Sequence, residues 1–214
     1  MLVVNYLRLA ALLAAAGSIW AADPAPAAAS VTGRVVVLGD GTAELLGYYT
    51  RIDGIKGSLF TDKQSEKFAM FSFRTEPTSV RITPEGKKFK LVPLTDTGIL
   101  NVYFHPIPNR DYAKPATFTE AQLVATFKSR TGEASLTPGG EFVYTGSIEL
   151  ESAADFVVEG VKYNFRDFGS SFALRAGGPS PAMEEIAQQV SSGSLKVPFT
   201  GSATKAAAAE PARD

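Results

Sequence analysis

The sequence of 214 residues contains no cysteine, one histidine and one tryptophan. The absence of cysteine excludes a disulfide framework, a thiolate metal site and a lipid-modified N-terminal cysteine. With a single histidine, a zinc site would need carboxylates for its other protein ligands, and such a set is rare among structural sites. We therefore expect no metal and no other cofactor.

Several motifs that carry chemistry are missing as well. No Gly-x-Ser-x-Gly turn is present for a serine nucleophile, and no Gly-Lys-Ser/Thr loop or G-x-G-x-x-G before a helix is present for a phosphate. The segment GDGTAE has Asp40 and Glu44 near a turn but lacks the alternating ligands of a calcium loop. These absences exclude nucleotide enzymes of the usual architectures, and a hairpin turn accounts for GDGTAE.

The chain also lacks an excess of charge of either sign, with 21 basic and 22 acidic residues. Phosphate binding requires a basic surface, so we do not expect nucleic acid as a partner.

The N-terminal residues have the layout of a secretory signal peptide. One positive charge, Arg8, precedes an uncharged run, and small residues follow. The apolar run over residues 9–22 is shorter than the about 20 residues that span a bilayer, so we expect cleavage rather than an anchor. The mature chain would begin near Ala22 or Asp23, with no membrane span. An alanine-rich leader without cysteine favours bacterial export, to the periplasm or outside the cell.

Composition divides the chain into four parts. Residues 1–22 are the predicted signal peptide, and residues 23–30 are rich in Ala and Pro and indicate a flexible linker. Residues 202–214 resemble that linker in composition and are predicted to be a disordered tail. Residues 31–201 form one predicted domain, large enough for a substantial core.

Within that domain, alternation of apolar and polar residues predicts β-strands. The runs are separated by turn signals, such as Gly39-Asp40-Gly41 and the PEG sequence at residues 84–86. One run, EAQLVATFKSR, is predicted to place Leu123, Ala125 and Phe127 on one face and Val124 on the other. We predict an all-β, mostly antiparallel barrel of about ten strands, with a β-sandwich as the alternative. Runs of nine or more residues favour the barrel.

One short helix is predicted near the C-terminal side, over residues 181–191. Ser180 is expected to cap it, Pro181 suits the first helical position, and Gly193 lies just beyond the end. Its apolar residues recur at helical spacing, which predicts that one stripe covers a barrel mouth or a sheet face.

The segment NVYFHPIPNRDY, residues 101–112, contains the only histidine and supplies the candidate ligand-binding residues. Alternation places Asn101, Tyr103 and His105 on one strand face, opposite Leu100, Val102 and Phe104. That polar face lies either in solvent or along an internal cavity, and only the second arrangement makes a site. We take Asn101, Tyr103, His105 and Tyr112 as candidates for ligand binding and none as catalytic.

Two other features have residue types that could form a site. Glu149 and Glu151 lie on one strand face, at a spacing that a glycosidase could use, but the mature chain would lack tryptophan for sugar stacking. Tyr48 and Tyr49 are consecutive, so they point to opposite faces and only one is expected to serve the core.

These observations predict an exported, non-catalytic β-domain protein that binds a small apolar ligand or a protein partner. The first alternative is a surface or matrix interaction module, which predicts a filled core and an exposed aromatic patch. The second is a hydrolase or isomerase that uses His105 or the pair Glu149 and Glu151, which predicts a concave site with a perturbed acid or histidine.

Overall fold

The computed structural model describes residues 28–93 and 98–206. These residues form twelve β-strands, one α-helix and three short 3₁₀ helices. The strands are β1 (Ala29–Leu38), β2 (Thr42–Ile52), β3 (Phe71–Thr75), β4 (Thr78–Glu85), β5 (Lys88–Pro93), β6 (Ile99–Phe104), β7 (Gln122–Leu136), β8 (Glu141–Ala153), β9 (Asp155–Val158), β10 (Val161–Asn164), β11 (Ser171–Pro179) and β12 (Ser194–Lys205). The helix α1 is Met183–Ser191, and the 3₁₀ helices are Glu66–Phe68, Pro115–Phe118 and Phe165–Phe168.

Eight of the strands form a closed antiparallel barrel. Around the ring the order is β1, β2, β3, β6, β7, β8, β11 and β12, and β12 pairs with β1 to close it. Two hairpins are inserted into this up-and-down ring. The β4–β5 hairpin extends the wall, because β4 pairs with the start of β2 and β5 with the end of β7. The β9–β10 hairpin forms a separate two-stranded sheet. The predicted mostly antiparallel barrel is therefore confirmed.

The turn between β1 and β2 follows from its sequence. Gly41 has a φ of 82°, which glycine adopts without the steric cost that a side chain would add. The Asp40 carboxylate accepts hydrogen bonds from the Thr42 backbone N–H and hydroxyl, at 2.9 and 2.7 Å. The side-chain and backbone hydrogen bonds from Thr42 lower the pKa of Asp40. The predicted hairpin is therefore present with the predicted turn.

A pair of glycines lets the wall curve where β1 meets β2. Gly33 and Gly47 lie directly opposite each other in the ladder. The rings of Phe199 and Phe73, from the strands on either side, cover them. A Cβ on Gly33 would lie 2.7 Å from both the Phe199 ring and the Leu46 carbonyl oxygen. Only glycine therefore allows this close approach of ring and backbone.

An aromatic cluster closes one end of the barrel. The β9–β10 hairpin and the 3₁₀ helix that follows it connect β8 to β11. The Phe156 ring of this connection lies 5.3 Å from that of Phe71 and 5.5 Å from that of Phe104. Phe165 continues the cluster, 5.6 Å from Phe156 and 6.2 Å from Phe127. Ring pairs at these separations add to the hydrophobic stabilisation, so we call this connection the aromatic cap.

The helix was predicted at nearly the observed place, but its cap was predicted wrongly. The N-cap residue is Ala182, without a side-chain hydrogen bond. The Ser180 side chain points back to the carbonyl oxygen of Pro181, at 3.4 Å, because Ser180 is still packed at the end of β11. Gly193, with a φ of 102°, follows the C-cap Ser192 as predicted.

The alternation predicted for β7 is wrong at its start. Leu123 pairs with Tyr103 and is exposed, whereas Val124 and Ala125 are both buried. The ladder with β6 shifts by one residue there, so Val124 is the extra residue of a β-bulge. Because a bulge reverses the face of the residues before it, simple alternation fails at this position.

The barrel extends beyond the predicted domain at both ends. β1 begins at Ala29, inside the predicted linker, and β12 ends at Lys205, inside the predicted tail. Ala29 pairs with Ala203, so small side chains do not prevent backbone pairing here. The predicted signal peptide, residues 1–22, lies outside the described residues. Within residues 28–93 and 98–206, no helix has the length and apolar character needed to cross a bilayer.

Candidate functional site

A cavity of about 350 Å³ lies in the lumen of the barrel. It extends from the aromatic cap, where Phe165 lines it, to the β4–β5 hairpin, where Leu91 and Val92 line it. Phe165 is buried and Val92 is exposed, so the cavity approaches the surface at the hairpin end. Most of the lining is aliphatic or aromatic, including Val35, Leu45, Phe73, Leu100, Ile148 and Phe199.

Two tyrosines add hydroxyl groups to this apolar lining. Tyr49 is on β2 and Tyr144 is on β8, and three strands separate β2 from β8 in either direction around the ring. The two side chains therefore come from opposite walls of the lumen. Burial alone raises the pKa of both groups. Neither hydroxyl forms a hydrogen bond with another residue in the described part of the chain.

Packing around the two rings fixes their positions. The Tyr49 ring contacts the Phe73 ring edge to face, with centroids 5.8 Å apart. The Tyr144 ring lies over two glycines that face each other across β7 and β8, Gly132 and Gly146. A Cβ on Gly146 would lie 2.5 Å from the Tyr144 hydroxyl oxygen. The absence of side chains at both glycines leaves the space that the Tyr144 ring occupies.

Charged groups occur only at the edge of the described lining. Arg130 is exposed and its guanidinium binds the Glu149 carboxylate through two nitrogens, at 2.8 and 2.5 Å. Arg175 is exposed and alternates along β11 with the cavity-lining residues Leu174 and Ala176. The interior wall is therefore uncharged in the part that the structure describes.

The four candidate residues predicted from the sequence do not line the cavity. Their neighbours Val102 and Phe104 are the buried residues of β6. Asn101 and Tyr103 thus face the outer side of the wall, where Asn101 accepts a hydrogen bond from the Thr126 hydroxyl at 3.0 Å. His105 follows the strand, and its Nδ1 accepts a hydrogen bond from the Ile107 backbone N–H at 3.0 Å. Ligand binding by these residues remains a prediction.

Tyr112, the fourth candidate, belongs to a segment that covers the outer face of the barrel. It packs with Phe118 against Val36 and Leu46, which point outward from β1 and β2. The Arg34 guanidinium lies 4.1 Å from the centroid of the Tyr112 ring. We call residues 105–121 the outer strap, and its contacts are those of a second, small core.

Glu149 and Glu151 lie on the outer face of β8. Glu149 is held by Arg130, and Glu151 is exposed. The buried residues Phe142 and Ile148 alternate with them along the strand. The pair is thus separated from the lumen by the barrel wall, and a catalytic role for it remains a prediction.

A second concave region, of about 710 Å³, is open to solvent along β1, β12, β11 and β8, and it shares Tyr144 and Ala176 with the lumen cavity. Hydroxyl side chains dominate it, among them Ser30, Thr32, Thr145 and Thr200. These residues are partly or fully exposed, and water satisfies such groups. The region therefore gives no sign of a particular ligand.

Among residues 28–93 and 98–206, no group of three or more histidine or acidic side chains could hold a metal ion. The chain matches no protein-family model, no curated protein and no solved structure.

The sequence contained a signal for one of the lumen tyrosines. Consecutive Tyr48 and Tyr49 point to opposite faces, as predicted, but both are buried. Tyr49 faces the lumen, whereas Tyr48 is buried on the other face, where its ring lies 6.0 Å from that of Phe60. Tyr144 lies in a regular alternating run, so a search for tyrosines on the core face of β8 could have found it.

Proposed function

We propose that this protein is an exported binding protein whose barrel lumen holds one small apolar ligand. The observation that carries the proposal is the cavity in the lumen, with its apolar walls. Ligand pockets in proteins are typically about 300–1,000 Å³ and apolar, with a few polar groups, and the cavity of about 350 Å³ lies at the small end of that range. Eight-stranded barrels are wide enough for one small ligand.

Hydrophobic burial supplies the driving force for such binding. Each Å² of apolar ligand surface removed from water contributes about 25 cal/mol, and part of that gain is offset by the lost freedom of the ligand. At about 30 Å³ per water molecule, the cavity corresponds to about a dozen waters, so it suits a compact ligand of one or two rings.

The cavity also bears on the two alternatives. An interaction module predicts a filled core, and an apolar cavity of this size favours ligand binding over that reading. A hydrolase or isomerase would use His105 or the pair Glu149 and Glu151. These residues do not line the lumen, so the cavity does not support that function, which remains a prediction.

Export is part of the same proposal and rests on the sequence. The pattern of residues 1–22 supports cleavage near Ala22 or Asp23 and release into the periplasm or outside the cell. The absence of cysteine means that folding there would need no disulfide formation.

Binding of the neutral apolar dye dimethylaminonaphthalene, which has two rings, to two matched variants tests the proposal. Ala176 and Ala173 lie on the same strand, but Ala176 lines the cavity and Ala173 is exposed on the outer face. Ala176→Phe inserts a ring into the lumen, and we expect it to weaken dye binding by at least tenfold. Ala173→Phe adds the same ring outside, and we expect wild-type affinity.

Melting temperatures of both variants show whether each is folded. If Ala176→Phe does not fold, Ala203→Phe is the second lumen variant, since Ala203 also lines the cavity. Equal dye affinity in the wild type and a folded lumen variant would show that the dye binds elsewhere and would contradict the proposal. No dye binding to the wild type would contradict it as well.

A further inference from the structure

The two lumen tyrosines allow the ligand class to be narrowed. We infer that the ligand is a neutral, mostly hydrocarbon molecule with a carbonyl-type hydrogen-bond acceptor, and this inference rests on the proposed function. Tyr49, Tyr144 or both donate the hydrogen bond to this acceptor. Both line the cavity, and neither has a hydrogen-bond partner among the described residues.

A hydroxyl in an apolar cavity is unfavourable without a hydrogen-bond partner, because it has lost its hydrogen bonds to bulk water. The fully buried groups without a partner in the described residues are Arg110 Nε and the Tyr112 hydroxyl, so the hydroxyl oxygens of Tyr49 and Tyr144 are not fully enclosed and a small molecule can reach them. Tyr49 is only 7% exposed, yet phenylalanine would have filled the same space without a hydroxyl group. Tyr144 also lines the cavity, and its hydroxyl lies over Gly132 and Gly146. Water or a ligand is then the partner of each hydroxyl, and an acceptor on the ligand satisfies it while the rest of the ligand contacts apolar side chains.

The protonation state of the two tyrosines makes them donors. Burial raises the pKa of Tyr49 and of Tyr144, so both keep their protons at neutral pH and above. A neutral phenol both donates and accepts, but a carbonyl oxygen can only accept. A ketone or a quinone therefore matches two phenol donors.

The charge of the lining favours a neutral ligand over a carboxylate. Arg130 is at the edge of the cavity and is already bound to Glu149, and Arg175 is exposed. A carboxylate deep in the lumen, away from Arg175 at the exposed edge, would lose its hydration without gaining a cationic partner among the described residues, which is strongly unfavourable.

Two dyes that differ by one group test the inference. Acetyl-dimethylaminonaphthalene is neutral and has one carbonyl oxygen, and its emission shifts to longer wavelength when that oxygen accepts a hydrogen bond. Dimethylaminonaphthalene is the same ring system without the carbonyl group. The ratio of their dissociation constants isolates the contribution of the acceptor.

We expect the wild type to bind the acetyl dye about 3- to 10-fold more tightly than the dye without the carbonyl, as one or two neutral hydrogen bonds would give. In Tyr49→Phe or Tyr144→Phe, or in both, that preference and the emission shift are lost while the plain dye binds as before. Tyr103→Phe is the matched control, because Tyr103 does not line the cavity.

The outcomes separate this inference from the proposed function. If both dyes bind to the lumen with equal affinity and neither Tyr→Phe variant changes it, the lumen binds apolar ligands but the inference is wrong. A third dye, the same dimethylaminonaphthalene ring system with a carboxyl group in place of the acetyl group, tests the preference for a neutral ligand. Tighter binding of this dye than of the acetyl dye would also overturn the inference. If neither dye binds the wild type, the proposed function itself fails. Loss of the preference in Tyr103→Phe alone would place the donor on the outer face and overturn the inference.

Discussion

Arg110 shows how a charged side chain is buried in this protein without a carboxylate partner. It is 3% exposed, and its guanidinium donates to the carbonyl oxygens of Ala69 and Met70, at 2.7 and 3.4 Å. Burial lowers its pKa to about 10, so it remains protonated at neutral pH. Its Nε has no partner in the described residues. Arg110 thereby ties the outer strap to the residues that precede β3.

We predict that Arg110→Ala lowers the free energy of unfolding by about 1–3 kcal/mol, because the buried Ala69 carbonyl oxygen loses its donor, whereas the Met70 carbonyl oxygen keeps the His105 backbone N–H. Urea denaturation followed by circular dichroism measures the change. Arg81→Ala is the control, since Arg81 is exposed on β4, and we expect a change within about 0.5 kcal/mol. A similar loss in both variants would show that Arg110 does not have this anchoring role.

At the scale of elements, local signals predicted most strands and turns but not how they pair. The Asp-Gly turn and the PEG turn both predicted hairpins that are present. That the β4–β5 hairpin joins β2 to β7 could not be predicted, because this pairing connects residues distant in the chain. The bulge at Val124 was also missed, since it is visible only in the pairing of β7 with β6.

We predict that Gly47→Ala destabilises the barrel by about 1–3 kcal/mol, as overpacking does. The new Cβ would overlap the Thr32 carbonyl oxygen and lie 2.7 Å from the Phe73 ring. Gly39→Ala is the matched control, because the nearest atom to its Cβ would be 3.6 Å away. Chemical denaturation of both variants checks the prediction, and an unchanged midpoint for Gly47→Ala would refute the argument from wall curvature.

At the scale of the whole molecule, the sequence predicted the β-barrel. The candidate residues that it predicted do not line the lumen, so a ligand in the lumen would not contact them. Alternation placed Asn101 and Tyr103 opposite Val102 and Phe104, as observed, whereas His105 lies beyond the end of β6. Alternation does not say which face lines a cavity when apolar and polar residues share a strand. The apolar face, with Val102 and Phe104, is the internal one. A lumen site therefore consists of the residues that the sequence assigned to the core.

Buried tyrosines also affect the stability of the whole barrel at alkaline pH. Burial raises the pKa of Tyr49 and Tyr144 above the ordinary value near 10, so the folded state holds protons that the unfolded state loses. Their stabilising contribution is complete below about pH 10 and is lost as the pH rises through the folded-state values.

We therefore predict that the melting temperature falls above about pH 10, and that the fall is shallower in the double variant Tyr49→Phe/Tyr144→Phe. Scanning calorimetry between neutral pH and pH 11 measures the melting temperature of each protein. The single variant Tyr163→Phe is the control, because the Tyr163 hydroxyl accepts a hydrogen bond outside the cavity, from the Lys56 backbone N–H at 3.1 Å. An alkaline profile of the double variant that matches the wild type would contradict this prediction.

The most direct test of lumen binding is a native mass spectrum of the wild type, Ala173→Phe and Ala176→Phe, each with one equivalent of the acetyl dye. We predict a complex of one dye per chain for the wild type and for Ala173→Phe, and no complex for a folded Ala176→Phe. A complex of equal abundance in all three proteins, or in none of them, would contradict the account.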